Sequence, residues 1–212
     1  MHHHAFSFIS GLQRKVHDMD SLNEKDVEVW GLSLRLFHWL LAIAFFVSWW
    51  AVGHDIRLHI LAGACIAGLL LYRLIWGFLG EKHAKFFSFT PSFINIKQHF
   101  LDLIKLKTRH DIGHTPIGSI MIYALFMSLF TLVISGFSLI ALQMNIGPLY
   151  GLQTTYSTEV FIQSTHHWCF EALQVLVFIH LLGVAVESIL QRTNLIKSMF
   201  TGKKTIKENI NI

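Results

Sequence analysis

Four long apolar segments constrain the fold of this chain more than any other feature of its sequence. They cover roughly residues 36–53, 58–79, 117–142 and 167–190. Each approaches the roughly 20 apolar residues that an α-helix needs to cross a bilayer. Only 14% of the 212 residues are charged, well below the roughly 25% of soluble domains. The sequence therefore predicts an all-α membrane protein, a bundle of four transmembrane helices surrounded by membrane lipid.

The basic residues are distributed unevenly around these four segments. Fifteen of the lysines and arginines lie before the first segment, between the second and third, or after the fourth, whereas the two opposite connections hold only Arg57. Basic residues in short loops stay on the cytoplasmic side. We therefore predict a multi-pass protein of the bacterial inner membrane with both termini in the cytoplasm. The net charge of +4 is then explained by the basic residues that set the orientation in the membrane, and nucleic acid is not expected as a partner.

The remaining sequence divides the chain into three parts. We expect a cytoplasmic N-terminal segment over residues 1–33, a four-helix transmembrane domain over 34–190 and a basic cytoplasmic tail over 191–212. Apolar residues at helical spacing predict an amphipathic cytoplasmic helix over 91–108, between the second and third helices. The polar stretch 143–165 is expected to form an outer loop.

The fourth apolar segment contains two histidines at a regular spacing. His166 and His180 are 14 residues apart, which at about 100° per residue ends about 40° short of four turns. Both imidazoles therefore face roughly the same way, about 21 Å apart along the helix axis. His167 would point about 140° away from His180. Ionisable groups at such depths are costly and usually functional.

Two other helices bring histidines to the same two depths. His38 begins the first helix near the cytoplasmic face, and His59 begins the second helix near the outer face. A six-coordinate haem iron needs one axial imidazole on each side, and two histidines per level supply that pair. Zinc would need three or four ligands at one level, and a di-iron site would need several carboxylates. The pattern predicts one haem between His38 and His180 and another between His59 and His166.

Three further residues are candidates for contact with such a cofactor. Arg35 shares a helical face with His38, and Arg73 lies on the face of His59 at the other end of the second helix. Either arginine could pair with an anionic haem propionate, or it could be an interfacial residue that snorkels. Gly63, one turn from His59, would let a flat macrocycle approach the backbone or would serve helix packing. The third helix has no interior histidine and is expected to be a supporting helix.

Several motifs together resemble a known family. In chain order they are VWGLSLRLFHW, LHILAGACIAGLLLYRLIWGFLG, GHTPIGS, HHW…FIH and NLIKSMFTGKK. They are similar to the prokaryotic di-haem cytochrome b family, of the bacterial cytochrome b561 type, which includes the b-type subunit of nickel hydrogenases. The resemblance covers nearly the whole chain from Val29 to Lys204. One departure is His167, where relatives often carry an acid.

The resemblance implies a four-helix bundle that holds two non-covalent b haems and exchanges electrons with membrane quinone. Carried over position by position, it implies the axial ligands His38, His59, His166 and His180, the four that the spacing already indicates. The sequence contains no CxxCH motif for covalent haem attachment. The ligand set that the resemblance implies therefore agrees with the four histidines that their spacing indicates.

We expect the chain to transfer electrons across the membrane between the quinone pool and a redox partner. Bis-imidazole ligation leaves no open iron position, which suits electron transfer rather than oxygen activation. The partner would be a periplasmic cytochrome c or a hydrogenase subunit, and no catalytic residue is predicted. Two alternatives stay open: a non-catalytic membrane anchor that relays electrons within a larger respiratory complex, and a four-helix transporter without a cofactor. If the chain is an enzyme, it is a quinone-linked oxidoreductase.

Overall fold

A computed structural model describes residues 24–79, 116–190 and 193–207. In chain order the elements are β1 (Glu24–Glu28), α1 (Leu32–Ala51), α2 (Ile56–Leu79), α3 (Pro116–Met144), α4 (Tyr156–Leu190), α5 (Leu195–Thr201) and β2 (Lys203–Lys207). Helices α1 to α4 are long and apolar enough to cross a membrane. The predicted helical, multi-pass membrane fold is confirmed. The amphipathic helix predicted over 91–108 lies outside the described residues.

The four long helices form two hairpins. Between α1 and α2 the chain turns through Gly53, at a positive φ of 76°, and Asp55 accepts a bond of 2.9 Å from the backbone N–H of Arg57. Helices α3 and α4 pack along each other, and the two hairpins meet mainly where α2 packs on α3. The α4 side chains reach the first hairpin through contacts such as Phe170 against Trp49, with ring centroids 6.2 Å apart. The hairpins thus leave space between α2 and α4.

Helix α4 begins earlier than the sequence predicts. It has 35 residues and is about 52 Å long at 1.5 Å per residue, compared with about 30 Å for a bilayer core. The prediction of an outer loop over 143–165 is therefore wrong for residues 156–165. The Thr155 hydroxyl accepts a bond of 3.4 Å from the backbone N–H of Thr158, and Glu159 lies in the first turn, where negative charge is favourable. These polar residues start a helix, but they lower the mean hydropathy of its first turns, so hydropathy alone does not reveal where the helix begins.

The two ends of the described chain are paired with each other, which the sequence did not predict. Strands β1 and β2 form a two-stranded antiparallel sheet. Between α5 and β2, the Gly202 carbonyl accepts bonds from the backbone N–H groups of Val29, at 2.9 Å, and Trp30, at 3.2 Å. We call β1, α5 and β2 together the terminal clasp. It holds Glu24–Glu28 and Lys203–Lys207 together at one end of the bundle, and the cytoplasmic location of that end stays a prediction.

Candidate cofactor-binding site

The structure brings His59 of α2 and His166 of α4 together. We call them the outer pair, after the predicted orientation. Their ring centroids lie 6.2 Å apart, and the ring planes are inclined by 77°. Two metal–imidazole bonds of about 2 Å each, with the half-widths of both rings, add up to about 6 Å between centroids. The separation therefore fits a metal-centred group held between the two imidazoles.

A serine on a neighbouring helix lies beside each ring of the outer pair. The His59 Nδ1 is 3.0 Å from the backbone oxygen of Ser48 in α1 and 3.1 Å from the Ser48 hydroxyl. The His166 Nδ1 is 3.0 Å from the hydroxyl of Ser135 in α3. Histidines that bind metals are usually held in this way through their second ring nitrogen. The Nε2 atoms of both rings are then left for a ligand.

A cavity of about 710 Å³ surrounds the outer pair. Its lining includes both histidines and Gly63, and its volume lies within the roughly 300–1,000 Å³ range of ligand and cofactor pockets. A Cβ placed on Gly63 would meet no atom within 4 Å, so no described helix packs closely against this glycine. The open space supports the macrocycle interpretation of Gly63 over the packing one, and its contact with a cofactor stays a prediction.

Helix α3 contributes more to this site than its predicted supporting role. Gly136 lies beside His166, and a Cβ at this position would approach the His166 Cε1 to 3.3 Å. Together with Ser135, it shapes the pocket in which the His166 ring lies. Small residues next to each other in an apolar helix (Ser135-Gly136) are a weak sequence signal, because such residues also occur at ordinary membrane helix contacts.

The inner pair consists of His38 in α1 and His180 in α4. The two rings lie close enough to interact electrostatically. The Nδ1 of His38 is buried and has no hydrogen-bond partner within the described ranges, while its ring meets Trp39 edge-on at 5.2 Å. A buried polar nitrogen without a protein partner is unusual and indicates a missing ligand, ion or water. The structure thus brings His59 and His166 together, and the pairing of His38 with His180 around a shared group stays a prediction.

The two predicted arginines have different surroundings. Arg73 is only 3% exposed and lies close enough to Tyr123 of α3 for its charge to interact with the phenol. Arg35 instead points to the terminal clasp: its guanidinium donates to the backbone oxygen of Phe200 and packs against Gly202. Arg35 therefore has a structural partner that the sequence did not reveal. A role at a haem propionate stays a prediction for both arginines.

The donor set is better suited to haem than to a bare metal ion. Across residues 24–79, 116–190 and 193–207, no group of three or more His, Cys, Asp and Glu side chains could hold a metal ion. A structural zinc site needs four protein ligands, and a catalytic one needs three. Two facing imidazoles are sufficient for haem because the porphyrin supplies the four equatorial nitrogens. The separation of the outer pair fits a bis-histidine haem, and a second haem at the inner pair stays a prediction.

Comparisons with known proteins point to one family. The family model described as prokaryotic cytochrome b561 matches residues 29–202. A protein of Rhizobium leguminosarum bv. viciae is 21% identical over 231 residues, covering 93% of this chain and 96% of the relative. A protein of Azotobacter chroococcum mcd 1 is 25% identical over 217 residues, covering 86% and 90%.

A third relative, from Bradyrhizobium diazoefficiens, is 24% identical over 166 residues, covering 71% of this chain and 66% of the relative. All three relatives are described as probable Ni/Fe-hydrogenase B-type cytochrome subunits. No solved structure matches the chain.

Proposed function

Because the chain belongs to the prokaryotic cytochrome b561 family, we propose that it carries two b haems and passes electrons between membrane quinone and a redox partner. Membership itself makes the chain a multi-pass membrane cytochrome of b type that acts in electron transfer. The finer proposal is supported by the close approach of His59 and His166, whose ring centroids lie 6.2 Å apart, and by the second histidine of α4, His180, which lies 14 residues from His166. That spacing corresponds to about 21 Å along the helix, within a bilayer core of about 30 Å.

In this proposal each pair of histidines supplies the axial ligands of one haem. The outer pair would hold one haem through Nε2 atoms, since the Nδ1 atoms already have serine partners. The inner pair would hold the other. Haem supplies reversible one-electron iron chemistry when bound, and the protein supplies its orientation and a low dielectric. Buried Phe45 and Leu129 of the core also line the cavity and give it apolar walls beside the outer pair.

The descriptions of the relatives support a hydrogenase as the redox partner. They are named as subunits of Ni/Fe-hydrogenases, and no comparison supports the alternative of a periplasmic cytochrome c. Quinone would bind beside a haem edge within the inner membrane. The word subunit also favours the second candidate, a non-catalytic anchor that relays electrons for a larger respiratory complex. Quinol oxidation by the purified chain alone would favour a self-sufficient oxidoreductase, and inertness would favour the relay.

The haem content tests the proposal directly. We expect the chain, purified from cells supplied with haem, to contain two b haems per polypeptide. The measurement is a pyridine haemochrome assay against quantified protein. A ratio of one would contradict the two-pair arrangement. A colourless protein without a Soret band would overturn the proposal and support the transporter alternative.

Replacing the buried cation Arg73 should change a haem potential. A positive charge beside a haem opposes oxidation of its iron, so Arg73→Ala should lower one midpoint potential. We expect a shift on the order of 60 mV, the value of a tenfold change for a one-electron couple. Arg73→Lys should keep most of the wild-type potential. Arg57→Ala is the matched control, because Arg57 is exposed at the opposite end of the same helix. Unchanged potentials in Arg73→Ala would remove Arg73 from the site.

A further inference from the structure

Ser135 makes hydrogen bonds that determine which nitrogen of His166 carries the proton. The Ser135 side chain is buried, and its hydroxyl donates to the backbone oxygen of Thr131 at 2.7 Å. The backbone oxygen of Leu132 lies 3.2 Å away and competes for the same proton. A hydroxyl has one proton and two lone pairs, and a carbonyl can only accept. The Ser135 oxygen is therefore left as an acceptor toward His166, at 3.0 Å.

It follows that the His166 Nδ1 is the donor in this bond. A neutral imidazole carries one proton, so the His166 Nε2 keeps its lone pair. The same reasoning applies to His59, whose Nδ1 lies 3.0 Å from the Ser48 carbonyl. Both members of the outer pair are thus held in the tautomer that can bind iron through Nε2.

The two serines nevertheless differ in what a substitution would remove. Ser48 approaches His59 through its hydroxyl and also through its backbone oxygen, and a side-chain substitution leaves the backbone oxygen in place. Ser135 holds His166 through its hydroxyl, which a substitution removes. The next residue, Gly136, leaves room for the ring, because a Cβ there would lie 3.3 Å from the His166 Cε1. A side-chain substitution at Ser135 should therefore affect the outer pair more than one at Ser48.

We propose that Ser135 is a positioning residue that fixes the tautomer and ring orientation of His166 and thereby lowers the potential of the outer haem. This inference rests on the proposed function, in which His166 is an axial ligand. A hydrogen bond accepted from Nδ1–H raises the basicity of the ligating imidazole. A more basic ligand stabilises oxidised iron over reduced iron, which lowers the midpoint potential.

The test is a redox titration of the purified holoprotein, followed in the visible spectrum. Ser135→Ala should favour the reduced form of one haem about tenfold, a rise of about 59 mV for one electron, and should leave the other haem unchanged. Ser135→Thr keeps the hydroxyl and should restore the wild-type potential. Ser138→Ala is the matched control, because Ser138 is buried on the same helix and its hydroxyl bonds to the backbone oxygen of Ile134. Ser48→Ala should shift less than Ser135→Ala.

The outcomes separate this inference from the proposed function. Two haems per chain with potentials unmoved by Ser135→Ala would overturn the inference and leave the proposed function standing. An equal shift in Ser138→Ala would also overturn it. A wild-type protein without haem would overturn both. If Ser135→Ala fails to accumulate, histidine-¹⁵N NMR of the reduced, unaltered protein decides: an exchange-protected Nδ1–H on His166 supports the inference, and its absence overturns it.

Discussion

Replacing His166 by alanine is expected to remove one of two haems and leave the other bound. Alanine has no donor atom for iron, and His59 would be left as the single protein ligand at this site. Substitutions that only remove a hydrogen-bond partner of a metal ligand already cost about 10–100-fold in metal affinity, so loss of the ligand itself should cost more. The pyridine haemochrome ratio should fall from two to one. The redox titration should then show the single remaining component of the inner pair.

His167→Ala is the matched control, one residue away on the same helix. His167 is exposed, and its ring contacts Trp168 at a centroid distance of 5.4 Å. It is His166 that lies opposite His59 and beside Ser135. We therefore expect His167→Ala to retain both haems with little change in either potential. The reverse result, loss in His167→Ala and retention in His166→Ala, would reassign the outer ligand to His167.

The close approach of His59 and His166 could be predicted, because the depth of His166 follows from the helical period of one long segment. The spacing of His166 and His180 gives their face and their separation along α4 without knowledge of any other element. The charge distribution then sets the direction of each helix, so the depths of His38 and His59 follow. The relative positions of two residues on one long helix follow from their sequence spacing alone, so this part of a site can be predicted from sequence.

The partners of those histidines could not be predicted in the same way. Ser135 and His166 are 31 residues apart and lie on different helices, so their contact depends on how α3 and α4 are rotated about their axes. Nothing in the local pattern of α3 distinguishes Ser135 from Ser138, which faces its own helix backbone. The early start of α4 was missed for a related reason, because hydropathy measures membrane burial and not helix formation.

The terminal clasp could not be predicted either, because it depends on contacts between residues that are even farther apart in the sequence. Residues of β1 pair with residues of β2 near the other end of the chain, beginning with Glu24 opposite Lys207. Both strands are short and rich in charge, and neither has the alternation of apolar residues that indicates a strand. The contact of Arg35 with Phe200 follows from this fold of the two ends. The sequence therefore suggested a propionate for Arg35 and gave no indication of the clasp.

Gly202→Ala is expected to open the terminal clasp while the four long helices stay folded. Gly202 follows α5 in a left-handed conformation, with φ of 81°. A Cβ there would lie 2.7 Å from the backbone oxygen of Trp30 and 3.2 Å from the guanidinium carbon of Arg35. The left-handed backbone costs about 1–2 kcal/mol, and overpacking typically adds about 1–3 kcal/mol. The terminal clasp consists of two five-residue strands and the short helix α5, so a destabilisation of this size should open it. The apolar four-helix bundle does not depend on the clasp and should stay folded.

Gly151→Ala is the control for substituting a left-handed glycine outside the terminal clasp. Gly151 has the same φ of 81°, but a Cβ there would meet no atom within 4 Å, so its substitution costs only the left-handed backbone term. Hydrogen exchange at Val29 and Trp30 is the direct measurement, because their N–H groups donate to Gly202. Exchange should accelerate at both residues in Gly202→Ala and stay unchanged in Gly151→Ala. Equal exchange in the two variants would mean that the clasp does not depend on the close approach of Gly202 to Trp30.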